Sequence, residues 1–188
     1  MRNLKTIALA LLTITAMTVS AQIKKVDVTK SNVTWIGKKV TGQHAGTVNL
    51  QDGHLSFQGT KLTGGSFTVD MTSIAVTDLE AGKGKEKLEG HLKSDDFFGT
   101  EKFPTSTLVF KTVAPKGKNV YTVNADLTIK GKTSPVTFDI AVGSTAATTK
   151  FKIDRTKYEV KYGSSTFFGD LGDKTIYDDF DVDVTLAY

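Results

Sequence analysis

Three histidines, a dense set of carboxylates and a cluster of phenylalanines are the side chains in this sequence that could carry chemistry. His44, His54 and His91 are the only histidines. Three imidazoles can hold zinc wherever a fold makes them converge. Here His44 and His54 open neighbouring strand-like runs beside glycine, and His91 falls in a Lys/Glu-rich stretch of helical spacing. No HExxH motif accompanies them and the chain has no cysteine, so no metal centre is expected. Asp178, Asp179, Asp181 and Asp183 crowd one strand-like run, but no EF-hand loop surrounds them, and they read as a solvated face. Asp154-Arg155 ends another run and reads as an ion pair or turn anchor, with a head-group charge as the alternative. No GxSxG elbow is present, and the serines do not group with His and Asp. Neither catalysis nor a cofactor is expected.

The phenylalanines are the sharper puzzle. "HLKSDDFFGTEKFP" (91–104) places Phe97, Phe98 and Phe103 among charged residues, and Phe167-Phe168 repeats the pairing in a glycine-rich stretch, 161–174. These rings either line an apolar cavity, with the two pairs facing each other across its mouth, or plug the end of an ordinary core.

The elements that must position them are strands. Tyr121, Val123, Ala125, Leu127 and Ile129 alternate with polar residues; so do Phe180, Val182, Val184 and Leu186, the run 136–142, and Phe67, Val69 and Met71. Strict alternation gives each strand one apolar and one wet face. With shorter runs near 26–28, 33–40, 46–50, 54–58, 107–113 and 148–154, about eight or nine antiparallel strands are predicted. Turn signals fall at Gln51-Asp52-Gly53, Gly64-Gly65 and Lys116–Asn119. One amphipathic helix, over roughly 84–95, carries Leu88, His91 and Leu92. Such an all-β chain must close into a barrel or pair into a sandwich, and the pattern alone leaves both open.

Residues 1–21 read as a secretory signal: Arg2 and Lys5 precede an apolar run, and Val19-Ser20-Ala21 supplies small residues for cleavage before Gln22. Cleavage removes two positive charges from a formal net charge of +4, leaving 22–188 as a single weakly basic domain with no nucleic-acid surface. An exported or periplasmic location follows. An integral outer-membrane barrel shares the leader and the alternation, but most apolar runs are shorter than the roughly 9–11 residues a membrane strand needs. A water-surrounded barrel is therefore expected.

Four ordered blocks give the chain a family likeness. "SNVTWIGKKVTGQHAGTV" (31–48), "LEGHLKSDDFFGTEKFPTSTLVF" (88–110), "ADLTIKGKTSPVTF" (125–138) and "KIDRTKYEVKYG" (152–163) resemble the signatures of the YceI-like proteins, exported bacterial lipocalin-like domains. The fourth departs at Glu159, where the family usually has glycine. The resemblance implies an eight-stranded antiparallel lipocalin-like barrel with short helical insertions. It also implies an apolar tunnel for an isoprenoid, quinone or fatty-chain lipid, and tips the phenylalanines toward lining it. Trp35, His44, Phe67, Leu92, Phe97, Phe98, Phe103, Phe110, Phe138, Phe167 and Phe168 are the ligand-binding candidates. His44 is taken as a polar residue inside the barrel. A membrane cytochrome of the b561 type is a partner by resemblance alone.

Overall fold

The computed structural model describes residues 21–188; the expected leader, apart from Ala21, lies outside the described residues. The chain forms β1 (Ala21–Lys25), β2 (Asp27–Lys39), β3 (Gly42–Gln58), β4 (Lys61–Val76), α1 (Lys85–Lys93), β5 (Thr105–Gly117), β6 (Val120–Ile129), β7 (Lys132–Val142), β8 (Ala146–Asp154), α2 (Ser165–Phe168) and β9 (Ile176–Ala187). The strands are antiparallel neighbours in the order β1-β3-β2-β9-β8-β7-β6-β5-β4, and β4 pairs back onto β3. Both β1 and β2 lie along β3, at Gln58–His54 and Thr47–Gly42 respectively, so they form one broken strand. The result is a closed eight-stranded antiparallel barrel. Closure settles the choice between barrel and sandwich and leaves few free strand edges.

Alternation decides which way each strand faces. In β6, Tyr121, Val123, Ala125, Leu127 and Ile129 are buried, while Asn124 is exposed. In β9, Val182 and Leu186 are buried inward, and Asp181 and Asp183 face outward to pair with Lys152 and Lys150. A second cluster, built from Met71, Ile74, Val76, Leu92, Phe97 and Val160, joins α1 and the following loop to the barrel wall. The helix runs over Lys85–Lys93 close to its predicted span, and Glu89 anchors it by accepting the Val76 N–H at 2.8 Å.

Two of the predicted turns are not turns. Gln51-Asp52-Gly53 lies inside β3 and Gly64-Gly65 inside β4; the chain reverses instead at Gly59-Thr60, where Gly59 has φ 62°. The cause is local. β3 has register irregularities against β4 between Thr47/Asn49, Leu50/Asp52 and Ser56/Phe57, and each extra residue breaks the period of two that marks a strand in sequence. Gly53 and Gly65 serve close packing. A Cβ on Gly53 would meet the Phe67 ring at 2.5 Å, and one on Gly65 would meet the Phe110 ring at 3.0 Å. The strands are correspondingly longer than their apolar runs, with β3 spanning 17 residues and β4 16. Strand length therefore gives no argument against a membrane barrel; the distribution of charge does.

Candidate functional site

The barrel interior is not filled. A cavity of about 180 Å³ runs between strands from all sides of the wall. Its faces are almost wholly aliphatic and aromatic. Of the side chains that line it, only Trp35, Ser106, Thr149, Arg155 and Tyr177 bring a polar atom. Three of these are committed to the backbone. Trp35 Nε1 donates to Thr47 O at 3.2 Å, and Thr149 Oγ1 donates to Asp139 O at 2.7 Å. Arg155, 2% exposed, donates to the carbonyls of Val160, Ile176 and Tyr177 at 2.7, 3.0 and 3.1 Å, with Asp178 3.5 Å away. Burial pushes its guanidinium pKa down, and the neighbouring Asp178 and Asp154 partly restore it. Arg155 is thus a structural anchor at the cavity wall, joining the turn after β8 to the start of β9. Apolar cavities of this size stay dry and take apolar guests.

Most of the sequence-predicted residues meet here. Trp35, Phe67, Leu92, Phe97 and Phe98 line the cavity, as do Phe110 and Phe138. The aromatic wall is continuous: Phe67 contacts Phe110 at 5.7 Å between ring centroids, and Phe110 contacts Phe138 at 5.8 Å. Phe138 in turn stacks on Phe151 at 4.7 Å. Phe98 stands edge-on to Phe97 at 5.0 Å and to Phe180 at 6.4 Å. Gly46 shapes the wall at Trp35, for a Cβ there would meet the indole at 2.3 Å and Ala75 O at 2.0 Å.

Phe103, Phe167 and Phe168 do not line this cavity. Phe103 lies where a Cβ on Gly131 would come within 3.0 Å of its ring, and Gly131 has φ 71° in the β6–β7 turn. Its ring holds the loop after α1 to that turn. Lys130 reinforces the junction by donating to Asp95 O and Phe97 O at 2.7 and 2.9 Å. Phe167 and Phe168 are 46% and 60% exposed on α2. The two Phe pairs do not face each other across the cavity. The spacing of "FF" beside glycine is shared by a buried loop and an exposed helical turn, so spacing alone could not separate them.

His44 also lies outside the main cavity. It lines a smaller, adjoining cavity of about 90 Å³ together with His91, Lys38, Lys39 and Leu88. The two cavities share Trp35, Gly37, Leu92, Phe97 and Ile176 as walls. The histidines on β3 and α1, separate in sequence, are brought to one place; His54 sits elsewhere on β3, in register with Lys25 and Ser66. No cluster of three or more His, Asp or Glu suited to a metal ion occurs among the described residues. His44 Nδ1 lies 2.9 Å from Asp78 Oδ2. Burial works to raise the Asp78 pKa, but hydrogen bonds from the Ala45 backbone and from His44 outweigh it and hold the carboxyl below its usual range.

Reading the sequence for aromatic clusters missed Phe151, Phe180, Ile176 and Tyr177, which also line the main cavity. Phe180 carried a signal: it sits on the apolar parity of its strand, and in a closed barrel every such residue points inward.

A family model described as "YceI-like domain" matches residues 25–188. A UPF0312 protein of Shewanella denitrificans is 37% identical over 92 residues, covering 49% of this chain and 46% of the relative. Another from Pseudomonas putida is 31% identical over 93 residues, covering 50% and 46%. The chain thus spans about half the length of the curated relatives it matches. Among solved structures, BcnA of Burkholderia cenocepacia superposes with a TM-score of 0.67 at 24% identity, covering 87% of this chain and 99% of that one. A polyisoprenoid-binding domain from Saccharophagus degradans gives 0.57 at 16% identity, covering 86% and 95%. These two likenesses show a shared fold. Together with the family match across the whole barrel, they lead to one assignment: the chain belongs to the YceI-like domain family.

Proposed function

We propose that this protein is an exported carrier that binds the hydrocarbon chain of an isoprenoid, quinone or other long-chain lipid inside its barrel. One observation carries the reading: a closed barrel whose interior is an apolar cavity of about 180 Å³ rather than a filled core. A guest there is held by burial, worth about 0.8 kcal/mol per methylene removed from water before the costs of association. The polar atoms in the wall mostly bond the backbone, so the chain itself needs no polar partner. The resting cavity is only slightly larger than the roughly 150 Å³ that takes one benzene. A longer chain therefore enters by turning side chains such as Phe98 and Phe180, or leaves its far part outside the barrel. Tyr177 lines the cavity while 50% exposed, which gives the wall a route to solvent.

The likeness to a polyisoprenoid-binding domain is consistent with such a guest. A barrel surrounded by water, not lipid, is supported by its outer face. Lys111–Asp126, Lys150–Asp183 and Lys152–Asp181 pair there at 3.4, 2.6 and 3.3 Å, and Lys116 pairs with Asp139. Charges at mid-strand on a lipid-facing surface are strongly destabilising. No helix among the described residues is long and apolar enough to cross a membrane. The reading assigns no catalytic step, and export rests on the leader sequence.

Trp35 offers the test, because it is the only tryptophan and it lines the cavity. A long-chain alcohol brominated along its chain should quench Trp35 emission saturably, at one molecule per protein. Absence of saturable quenching would overturn the reading.

A further inference from the structure

The smaller cavity differs from the large one in a respect that matters for a lipid head: it brings two imidazoles to an apolar wall. His91 Nε2 is buried and has no hydrogen-bond partner. Its ring is fixed between Phe97 and Tyr162, at 5.5 and 4.4 Å between centroids. A native protein rarely leaves a buried polar atom unpaired, and such an atom calls for an explanation. His44 supplies the complement. Its Nδ1 is 2.9 Å from the Asp78 carboxylate, which can only accept, so a ring proton sits on Nδ1 and Nε2 is the nitrogen left for a guest. The cavity is thus lined by one imidazole whose Nδ1 is committed to Asp78 and one whose Nε2 has no partner.

The charges around it do not make an anion site. The Lys38 ammonium pairs with Asp181 at 2.6 Å. The Asp78 carboxylate lies directly behind His44. Lys39 has no ion pair among the described residues, but it is exposed to solvent. Trp35, Leu92 and Phe97 are walls of both cavities, so only these side chains stand between a chain in the large one and the two histidines.

Resting on the carrier reading, we infer that this side cavity is the head-group site, and that it selects a small neutral head with both a hydrogen-bond donor and an acceptor, such as a hydroxyl. His91 Nε2–H donates to the head oxygen, and His44 Nε2 accepts the head proton. An ether oxygen offers no donor, and a phosphate brings a charge toward the Asp78 carboxylate.

Three probes with one twenty-carbon prenyl chain separate the outcomes: geranylgeraniol, its methyl ether and its monophosphate. Each is titrated against the brominated alcohol bound to the purified protein. The free alcohol should bind about tenfold more tightly than the ether or the phosphate. His44→Phe removes the acceptor that only the alcohol can use and should reduce the alcohol-to-ether ratio to near one; His91→Phe keeps an aromatic ring in the cluster and should weaken alcohol and ether alike, leaving their ratio unchanged. That ratio is the readout for His44, so a general loss of affinity in that variant does not imitate the result; for His91 the readout is weaker binding of both probes by a protein whose thermal melt is unchanged. Equal binding of alcohol and ether by the unaltered protein would overturn the head-group site and leave the carrier reading standing. Tightest binding of the phosphate would overturn it in favour of an anion site at Lys39. If neither the brominated alcohol nor any probe binds, both readings fall together.

Discussion

Phe98 and Phe138 both face the cavity, yet they answer to different neighbours. Phe138 is 5% exposed and held between Phe110 and Phe151, in the middle of β7. Phe98 is only partly buried, on the loop after α1. A carboxylate at either place is unpaired in an apolar site and either costs several kcal/mol or takes up a proton. Phe98→Asp should keep the fold and lower chain affinity at least tenfold, about 1.4 kcal/mol. Phe138→Asp should instead unfold the protein at ordinary temperature. Thermal melts and quenching titrations on both variants check this; a folded Phe98→Asp protein with full affinity would contradict it. A second residue-scale forecast concerns the one departure from the family blocks. Glu159 adopts φ 60°, ψ 22° after the turn at Arg155–Tyr158, the left-handed conformation that suits glycine. Its side chain makes an exposed ion pair with Lys161 at 2.6 Å. Glu159→Gly should leave the urea midpoint unchanged or raise it, whereas Glu159→Val should lower it. Glu159 was legible in the sequence as an oddity but not as a left-handed residue, because backbone conformation is not written in side-chain type. Phe103 shows the converse limit: its ring was read as lining or plugging the cavity, but it is half-buried against Gly131, a partner that leaves no pattern.

At the scale of elements, alternation was legible wherever the pairing is regular. β6 keeps its parity from end to end and β9 keeps it from Phe180 onward, and the inward residues named there are the buried or cavity-lining ones. β3 and β4 were broken into pieces because their bulges and packed glycines imitate turns. The outer face ties neighbouring strands together through Asp181, which meets Lys38 of β2 at 2.6 Å and Lys152 of β8 at 3.3 Å. The hydrogen bond from Lys38 is the main cause holding its pKa below the usual carboxylate range, with Lys152 adding to it against the opposing effect of burial. A depressed folded-state pKa means that this stabilisation is fully present above the unfolded value, about pH 4, and is lost as pH falls through the folded value. Asp181→Asn should therefore lower stability by no more than about 1 kcal/mol at pH 7, since the group is about a third exposed, and the deficit should vanish in acid. Urea titrations of both proteins at pH 7 and pH 3 check it; an equal deficit at both would contradict the ion-pair account.

For the whole molecule, the all-β architecture, the helix over one part of the wall and the family were legible, because each depends on patterns repeated over many residues, whereas a barrel rather than a sandwich was legible only through the family. The cavity was legible only as an implication of that family. Whether an apolar interior is full or hollow depends on how side chains from eight strand positions meet, and no single strand records it. The same geometry puts the charged faces outside, so the protein should be released from membranes by a salt or carbonate wash, with a mature chain beginning at Gln22. Retention in the washed membrane pellet would contradict that. The central claim is that the hollow interior holds a lipid chain. Native mass spectrometry of the purified protein, followed by organic extraction, tests it most directly. The account predicts a species heavier than the bare chain by one lipid, which extraction removes and added geranylgeraniol restores. A bare mass before extraction, unchanged after incubation with that alcohol, would contradict it.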